Sequence, residues 1–247
     1  MSQQDPTEAE LWIRLQQIHG LGGQGICKLL RQFGSPESIF NASHHDLKQV
    51  VAESVANLIK QEAPLDTLTS ALQWLEKDDN HLITLADQHY PQALLEIADP
   101  PPVLYAKGHL SCLSMPAIAI VGSRNASVQG EKNAEEFARA LSEQGFCIVS
   151  GMALGIDGAA HEGALDNVVS GSGRLVTVAV VGTGLDRVYP KQHRALAQQI
   201  ATHGLLLSEY PLGTPPLAAH FPQRNRIISG LALGTLVVEA ALQSGSL

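Results

Sequence analysis

Residues 117–152 read AIAIVGSRNASVQGEKNAEEFARALSEQGFCIVSGM. The stretch opens and closes on short apolar runs, AIAIVG and FCIVS, with no polar residue interleaved. Runs of that kind suit strands buried on both faces of a sheet, where no side needs to meet water. Between them Ala134, Phe137, Ala138 and Leu141 recur at i, i+3, i+4 and i+7, which predicts one apolar face of a helix, and Gly145 is placed to stop it. The unit is therefore strand, helix, strand. The same apolar signature returns in LVTVAVVGTG (175–184), GLLLSEYP (204–211) and GTLVVEA (234–240). Leu196 and Ile200 carry a second helical stretch that ends at Gly204. This alternation predicts an α/β fold with a doubly wound, mostly parallel sheet.

Working toward the N-terminus, the rhythm changes near residue 80. HLITLADQHYPQALLEIADPPPVLYAKG (81–108) holds apolar runs around Ile83–Leu85 and Val103–Tyr105, separated by Pro100-Pro101-Pro102. Proline removes donors and stiffens the chain, so this reads as a connecting segment with a short strand at each end. Residues 1–75 read as helices. The first carries Leu11, Ile13, Leu15 and Ile18, with Thr7 as candidate cap and Gly20 as stop. Gly20-Leu21-Gly22 then joins it to a second helix bearing Ile26, Leu29 and Leu30. Such a hairpin turn either faces a DNA phosphate with its N–H groups or is an ordinary glycine cap. The expected organisation is a helical domain over 1–75 and a sheet domain over 80–247.

The 247 residues carry a formal net charge of −8, so the molecule is no polycation coating nucleic acid. The charge is uneven. Residues 1–110 have 7 Lys/Arg against 14 Asp/Glu, residues 111–247 have 9 against 10. Within 186–226 stand Arg187, Lys191, Arg194, Arg224 and Arg226, opposed only by Asp186 and Glu209. That local excess suits an anionic ligand. Cys27, Cys112 and Cys147 form no CxxC and read as buried thiols in a reducing compartment. The N-terminus is polar and acidic, unlike a signal peptide. No apolar run approaches bilayer length, and the expected location is the cytoplasm.

Ligands of open α/β sheets bind beyond the carboxyl ends of the strands. The residues there are Gly122-Ser123-Arg124, Ser150-Gly151-Met152, Gly182-Thr183-Gly184, Ser208-Glu209-Tyr210 and Glu239. VVGTGLDR is not a dinucleotide fingerprint, because Arg187 occupies the position of the third glycine, which close helix–strand packing needs. Arg124 is placed to aim its fork at an oxyanion, or to pair with Glu131 or Asp157. SGMALGIDGAAH (150–161) looks like a turn that offers backbone N–H groups to a phosphate. Asp157 and His161 share a helix face and suit either an acid–base pair or a cap and a structural histidine. DRVYPKQHR and HFPQRNRIISG mix cations with Tyr189 and Phe221, the composition of a groove for single-stranded nucleic acid. The alternative is that both rings are core and the cations merely rim them.

Taken together, AIVGSRNAS, SGMALGIDGAAHEGAL, VVGTGLDRVYP, SEYPLGTPP, FPQRNRIISGL and LVVEA resemble the DNA-processing protein DprA (Smf) family, in order from about residue 80 to the last. The helical segment resembles the family's small SAM-like domain. The resemblance implies an extended Rossmann fold that binds single-stranded DNA, protects it in natural transformation and loads a RecA-type recombinase. It implies a homodimer and neither metal nor cofactor. By position it marks Arg124, Lys191, Arg224 and Arg226 for DNA, with the loop that holds Gly151 and Gly155; Ser123 and Asn225 are added as their neighbours, Tyr189 and Phe221 stay the base-stacking candidates of the composition, and no residue is assigned to catalysis. The chain departs from the family in a longer connection at DNVVSGSGRLV, in Gln129 where an aromatic is common, and in ending at EAALQSGSL, where family members continue into further strands and often a winged helix. The competing reading is a nucleotide N-glycosidic hydrolase of the LOG type, for which Gly234-Thr235 and Glu239 are the only matching residues. A purely structural partner protein is the third.

Overall fold

The five long apolar runs pair as the pattern predicts. The computed structural model describes residues 6–61, 65–166, 168 and 175–240. Most of the connection at 166–176 and the closing stretch 241–247 lie outside them. Six helices come first among the described residues: α1 (Pro6–Gln17), α2 (Gly22–Phe33), α3 (Pro36–Asn41), α4 (His44–Lys48), α5 (Glu53–Ile59) and α6 (Leu65–Leu75). Strands β1 (Asn80–Thr84) and β2 (Val103–Gly108) follow. Then strands and helices alternate: β3 (Ala117–Gly122), α7 (Val128–Glu143), β4 (Cys147–Ser150), α8 (Ile156–Leu165), β5 (Thr177–Val180), α9 (Arg194–His203), β6 (Leu205–Ser208), α10 (His220–Leu231) and β7 (Gly234–Val238).

The seven strands form one sheet in the order β1-β2-β6-β5-β4-β3-β7. β3, β4, β5, β6 and β7 pair in parallel, whereas β1 pairs antiparallel with β2 and β2 with β6. The chain therefore winds from β3 toward β6 and then returns to place β7 on the other side of β3. That reversal opens a crevice at the carboxyl ends of the central strands. β4, β5 and β6 are buried at every position, as unbroken apolar runs require.

Two apolar layers cover the sheet. One gathers Ile120, Ile148, Ala179 and Leu206 with residues of α7, α8 and α9, and it runs on into Trp12, Leu15, Leu29 and Trp74 of the helical segment. The other gathers Leu104, Ala119, Val149, Val180 and Leu207 under Ile227 and Ile228 of α10. At β2 the Tyr105 ring meets Trp74 edge-on, with centroids 6.0 Å apart. Its hydroxyl donates to Gln16 Oε1 at 3.0 Å, and Gln16 Nε2 donates to the Glu209 carbonyl at 2.7 Å. Among the described residues no helix is long and apolar enough to cross a membrane.

Two local expectations need correction. Thr7 does not precede the first helix, because α1 already begins at Pro6. Phe137 does not face the core; it is 51% exposed, while Gly130, Ala134, Ala138 and Ser142 form the buried stripe of α7. The cause is the closeness of α7 and α8. A Cβ added to Gly163 would lie 2.2 Å from the Glu135 carbonyl oxygen, so only small residues fit between the two backbones and the large ring is turned outward.

Gly163→Ala should therefore force the two helices apart. The expected loss is about 1–3 kcal/mol, read as a lower urea midpoint at unchanged slope. An unchanged midpoint contradicts the close crossing.

Candidate nucleic-acid interface

The Gly122-Ser123-Arg124 turn leaves β3 under several restraints. The Ser123 N–H donates to the Glu239 carbonyl at 2.9 Å, and the Ser123 carbonyl accepts from the Ile156 N–H at 3.1 Å. Its hydroxyl accepts from the Asn125 N–H at 3.2 Å. Gly155, at φ +75°, lies so close that a Cβ there would come within 2.4 Å of the Ser123 carbonyl oxygen. Ser123 and Gly155 thus shape the turn, and what the turn presents is Arg124. That side chain is exposed, with its guanidinium carbon 5.2 Å from the centre of the Phe221 ring. Phe221 in turn leans on Tyr189, centroids 5.6 Å apart. A guanidinium over an aromatic face is held by cation–π attraction while its edges stay free to donate.

These three side chains form one wall of a cavity of about 200 Å³ at the carboxyl ends of β4 and β5. Asn125, Met152, Ala153, Leu154, Gly182, Thr183, Pro190 and Arg224 also line it. Tyr189 and Leu154 are 46% and 42% exposed, so the mouth offers apolar surface to solvent. Phe221 and Tyr189 are rim residues, not core. Lys191 is exposed on the short 3-10 turn Lys191–His193 directly after Pro190, beside this mouth. Met152 is one of the strand-end residues that the sequence marks, whereas Asn125 and Leu154 drew no individual notice in it.

The SGMALGIDG loop is used differently from expectation. Its Ala153 N–H donates to Asp157 Oδ2 at 3.3 Å, and its Ile156 N–H is taken by Ser123. The space above Gly151 is filled by the chain itself: a Cβ there would lie 2.1 Å from both terminal nitrogens of Arg224. Arg224 is only 4% exposed. Its fork donates to the Val180 carbonyl and, at 3.3 Å, to Asp157 Oδ2, and its Nε donates to Asn225 Oδ1 at 3.0 Å. Gly151 and Arg224 are therefore one internal device, which ties α10 to α8 and to the ends of β4 and β5. Burial pushes the Asp157 carboxyl up and the Arg224 guanidinium down, and each charge opposes the shift of the other.

Arg226 is placed away from the cavity. It grips Glu209 with both terminal nitrogens, at 2.7 and 2.6 Å, and lies 3.5 Å from Asp99. Glu209 was one of two acids in the basic window, and it claims this cation. Arg187 pairs with its neighbour Asp186 at 3.1 Å. The hairpin turn of the helical segment is also partly covered. A Cβ on Gly23 would meet Pro102 at 3.3 Å and the Asp99 carboxylate at 3.6 Å, and that carboxylate repels a phosphate.

Asp157 and His161 do not bond to each other. His161 is fully buried, with Nε2 against the Gly151 carbonyl and Nδ1 2.7 Å from the Thr177 hydroxyl. A carbonyl can only accept, so neutral His161 carries its proton on Nε2. Burial, opposed by the Gly151 bond, lowers its pKa to about 4. It is a satisfied structural histidine. His193 supports the loop from below, donating from Nδ1 to the Met152 carbonyl at 3.0 Å. Glu239 turns from the cavity to the start of α7, where its carboxylate accepts from Ser127.

Known proteins resemble this chain in sequence and in fold. The family model for DNA recombination-mediator protein A matches residues 81–247. Protein Smf of Escherichia coli K12 is 40% identical over 247 residues, covering 98% of this chain and 62% of that protein. The DNA processing protein DprA of Streptococcus pneumoniae R6 is 46% identical over 184 residues, covering 71% of this chain and 63% of its own length. The X-ray structure of the Streptococcus pneumoniae DNA processing protein A superposes with a TM-score of 0.81 at 37% identity, over 96% of this chain and 80% of that one. A solved structure of the Helicobacter pylori DNA processing protein A, described for its mode of binding single-stranded DNA, gives 0.59 at 34% identity, over 67% of this chain and 73% of that one. The chain thus spans under two thirds of the length of the first two relatives named.

Two outcomes follow from the internal network. Arg224→Ala leaves a buried carboxylate unpaired and should cost about 3–5 kcal/mol, whereas Arg124→Ala should leave the urea midpoint unchanged; equal midpoints for the two variants contradict the assignment. Because His161 is neutral when folded but titrates near 6.5 when unfolded, the unfolded chain binds the extra proton. Stability should therefore fall as pH drops from 6.5 toward 4. His161→Gln should flatten that slope in urea melts at successive pH values, and an identical slope would show that His161 is not its source.

Proposed function

The chain belongs to the DNA recombination-mediator protein A family, and on that footing we propose that it binds single-stranded DNA at the cavity between the Gly122-Ser123-Arg124 turn and the Tyr189–Phe221 rings. The observation that carries this reading is the Arg124–Phe221–Tyr189 wall: a cation held over one ring, with a second ring at the mouth. A base can lie on an exposed ring whatever its identity, and Arg124 and Lys191 are placed to meet the phosphates on either side of it. A duplex keeps its bases stacked and has none to offer. The size of the cavity suits one base, not a helix. Arg224, Asn225, Gly151, Gly155 and Ser123 serve by shaping this surface, and Arg226 by joining α10 to the connecting segment at Asp99.

The recombinase-loading role is proposed from the family's description as a recombination mediator, and the homodimer is proposed with it. The division into a helical unit over 1–75 and a sheet unit over 80–247 is part of the same proposal, with binding assigned to the second. The role is one of holding a strand, not of breaking bonds. The hydrolase reading rested on Glu239, whose carboxylate faces Ser127.

Fluorescence anisotropy of a labelled oligothymidylate tests the proposal. Binding should exceed that of a duplex of equal length and weaken as salt rises, because each phosphate contact releases counterions. Phe221→Ala should cost about 1–3 kcal/mol of affinity, and Arg124→Ala should weaken binding at least as much. Equal affinity for the duplex, or full binding by both variants, contradicts the site.

A further inference from the structure

We propose that Glu239 is the positioning residue for Arg124, holding the 123–127 turn in its binding shape from the end of the edge strand; this rests on the cavity being the single-strand site. Glu239 follows β7, whose last residue, Val238, is paired with Gly122. From there it grips both ends of the turn. Its carbonyl accepts from the Ser123 N–H at 2.9 Å. Its carboxylate accepts from the Ser127 N–H at 3.0 and 3.1 Å and from the Ser127 hydroxyl at 2.9 Å. Ser127 in turn caps α7 by accepting from the Gly130 N–H at 3.0 Å. Arg124, Asn125 and Ala126 are the only residues between the two gripped positions.

Three further observations fit that role. Glu239 has φ +52°, a left-handed conformation that a residue with a side chain adopts only when its surroundings hold it there. Gly130 makes room for the carboxylate: a Cβ there would lie 2.0 Å from Glu239 Oε2. Gly122 makes room for the strand end: a Cβ there would lie 1.9 Å from the Val238 carbonyl oxygen. Gly130 thus accommodates the acid itself, and Gly122 the end of the strand that carries it. Among the described residues Arg124 has no ion pair of its own, so the placement of its backbone decides where its charge stands. A carboxylate this near a DNA site would by its charge alone repel phosphate, so its contribution is the shape it imposes.

The test has a sign that charge alone cannot imitate. Removing an acid beside a phosphate site should strengthen binding if only charge matters. Positioning predicts the reverse: Glu239→Ala weakens oligothymidylate binding by the 247-residue chain roughly tenfold, about 1.4 kcal/mol, while Glu239→Gln, which keeps the shape and an acceptor, stays near wild type. In an Arg124→Ala background Glu239→Ala should have no further effect, because the two changes remove one interaction. Amide exchange at 123–127 should quicken in Glu239→Ala while β4 and β5 keep their protection. Should Glu239→Ala fail to fold, Gly130→Ala displaces the same carboxylate without removing it and should reproduce the loss. Stronger binding by Glu239→Ala, or an equal loss with and without Arg124, overturns the positioning role alone. No oligothymidylate binding by the wild-type chain overturns the underlying site as well.

Discussion

The buried contact between Arg224 and Asp157 is the constraint on which the binding edge depends. A guanidinium taken out of water needs a counter-charge and full hydrogen bonding, or its burial is prohibitively costly. Here it receives Asp157, the Val180 carbonyl and the Asn225 amide together. Those partners belong to α8, to the end of β5 and to α10 itself. One side chain thereby fixes three elements that arrive from distant parts of the sequence. Gly151 follows from it directly, since no other residue leaves space for the fork. The loop that looks made for a ligand is built first around an arginine of its own chain.

A rigid floor of this kind explains why the groups above it can be few and exposed. Arg124 is fixed through its backbone, by Ser123, Gly155 and Glu239, and through its side chain, by the Phe221 ring. Nothing among the described residues neutralises it. Arg226, two residues beyond Arg224 on α10, is engaged elsewhere: its fork is closed by Glu209, with Asp99 beside it. Two arginines separated by a single residue thus have separate duties, one joining α10 to α8 and the end of β5 and one reaching across to Glu209 and the connecting segment. Both forks are engaged within the chain, whereas Arg124, Lys191 and Arg194 are exposed and have no ion pair among the described residues.

Much of this was legible in the sequence and some of it could not be. Unbroken apolar runs show their strands because burial on both faces leaves a one-dimensional trace, and each of the five lies where the pattern put it. The parallel order and the strand-end crevice follow from the alternation of runs and helices. Composition also marked Arg124, Tyr189 and Phe221, since rings and cations among turn residues have little to do inside a core. Direction is what one dimension does not record. The heptad-like spacing of Phe137 says helix face, but the closeness of Gly163 to Glu135 decides that the ring points outward. A count of cations in 186–226 treats Arg224 and Arg226 as equal to Lys191, although Asp157 lies outside the counted window and Glu209 was outnumbered in it. Glu239 drew notice only as a remnant of another motif, because its partner Ser127 is 112 residues away.

Photo-crosslinking can locate the bound strand on the protein. An oligothymidylate carrying 5-iodouracil bonds on irradiation to an aromatic ring stacked against the base, and the modified residue is located by mass spectrometry of the full chain. If the strand lies along the cation–ring wall, the crosslinks fall on Tyr189 or Phe221 and disappear in Arg124→Ala. Crosslinks confined to the helical residues before β1 would place the strand elsewhere and contradict the account.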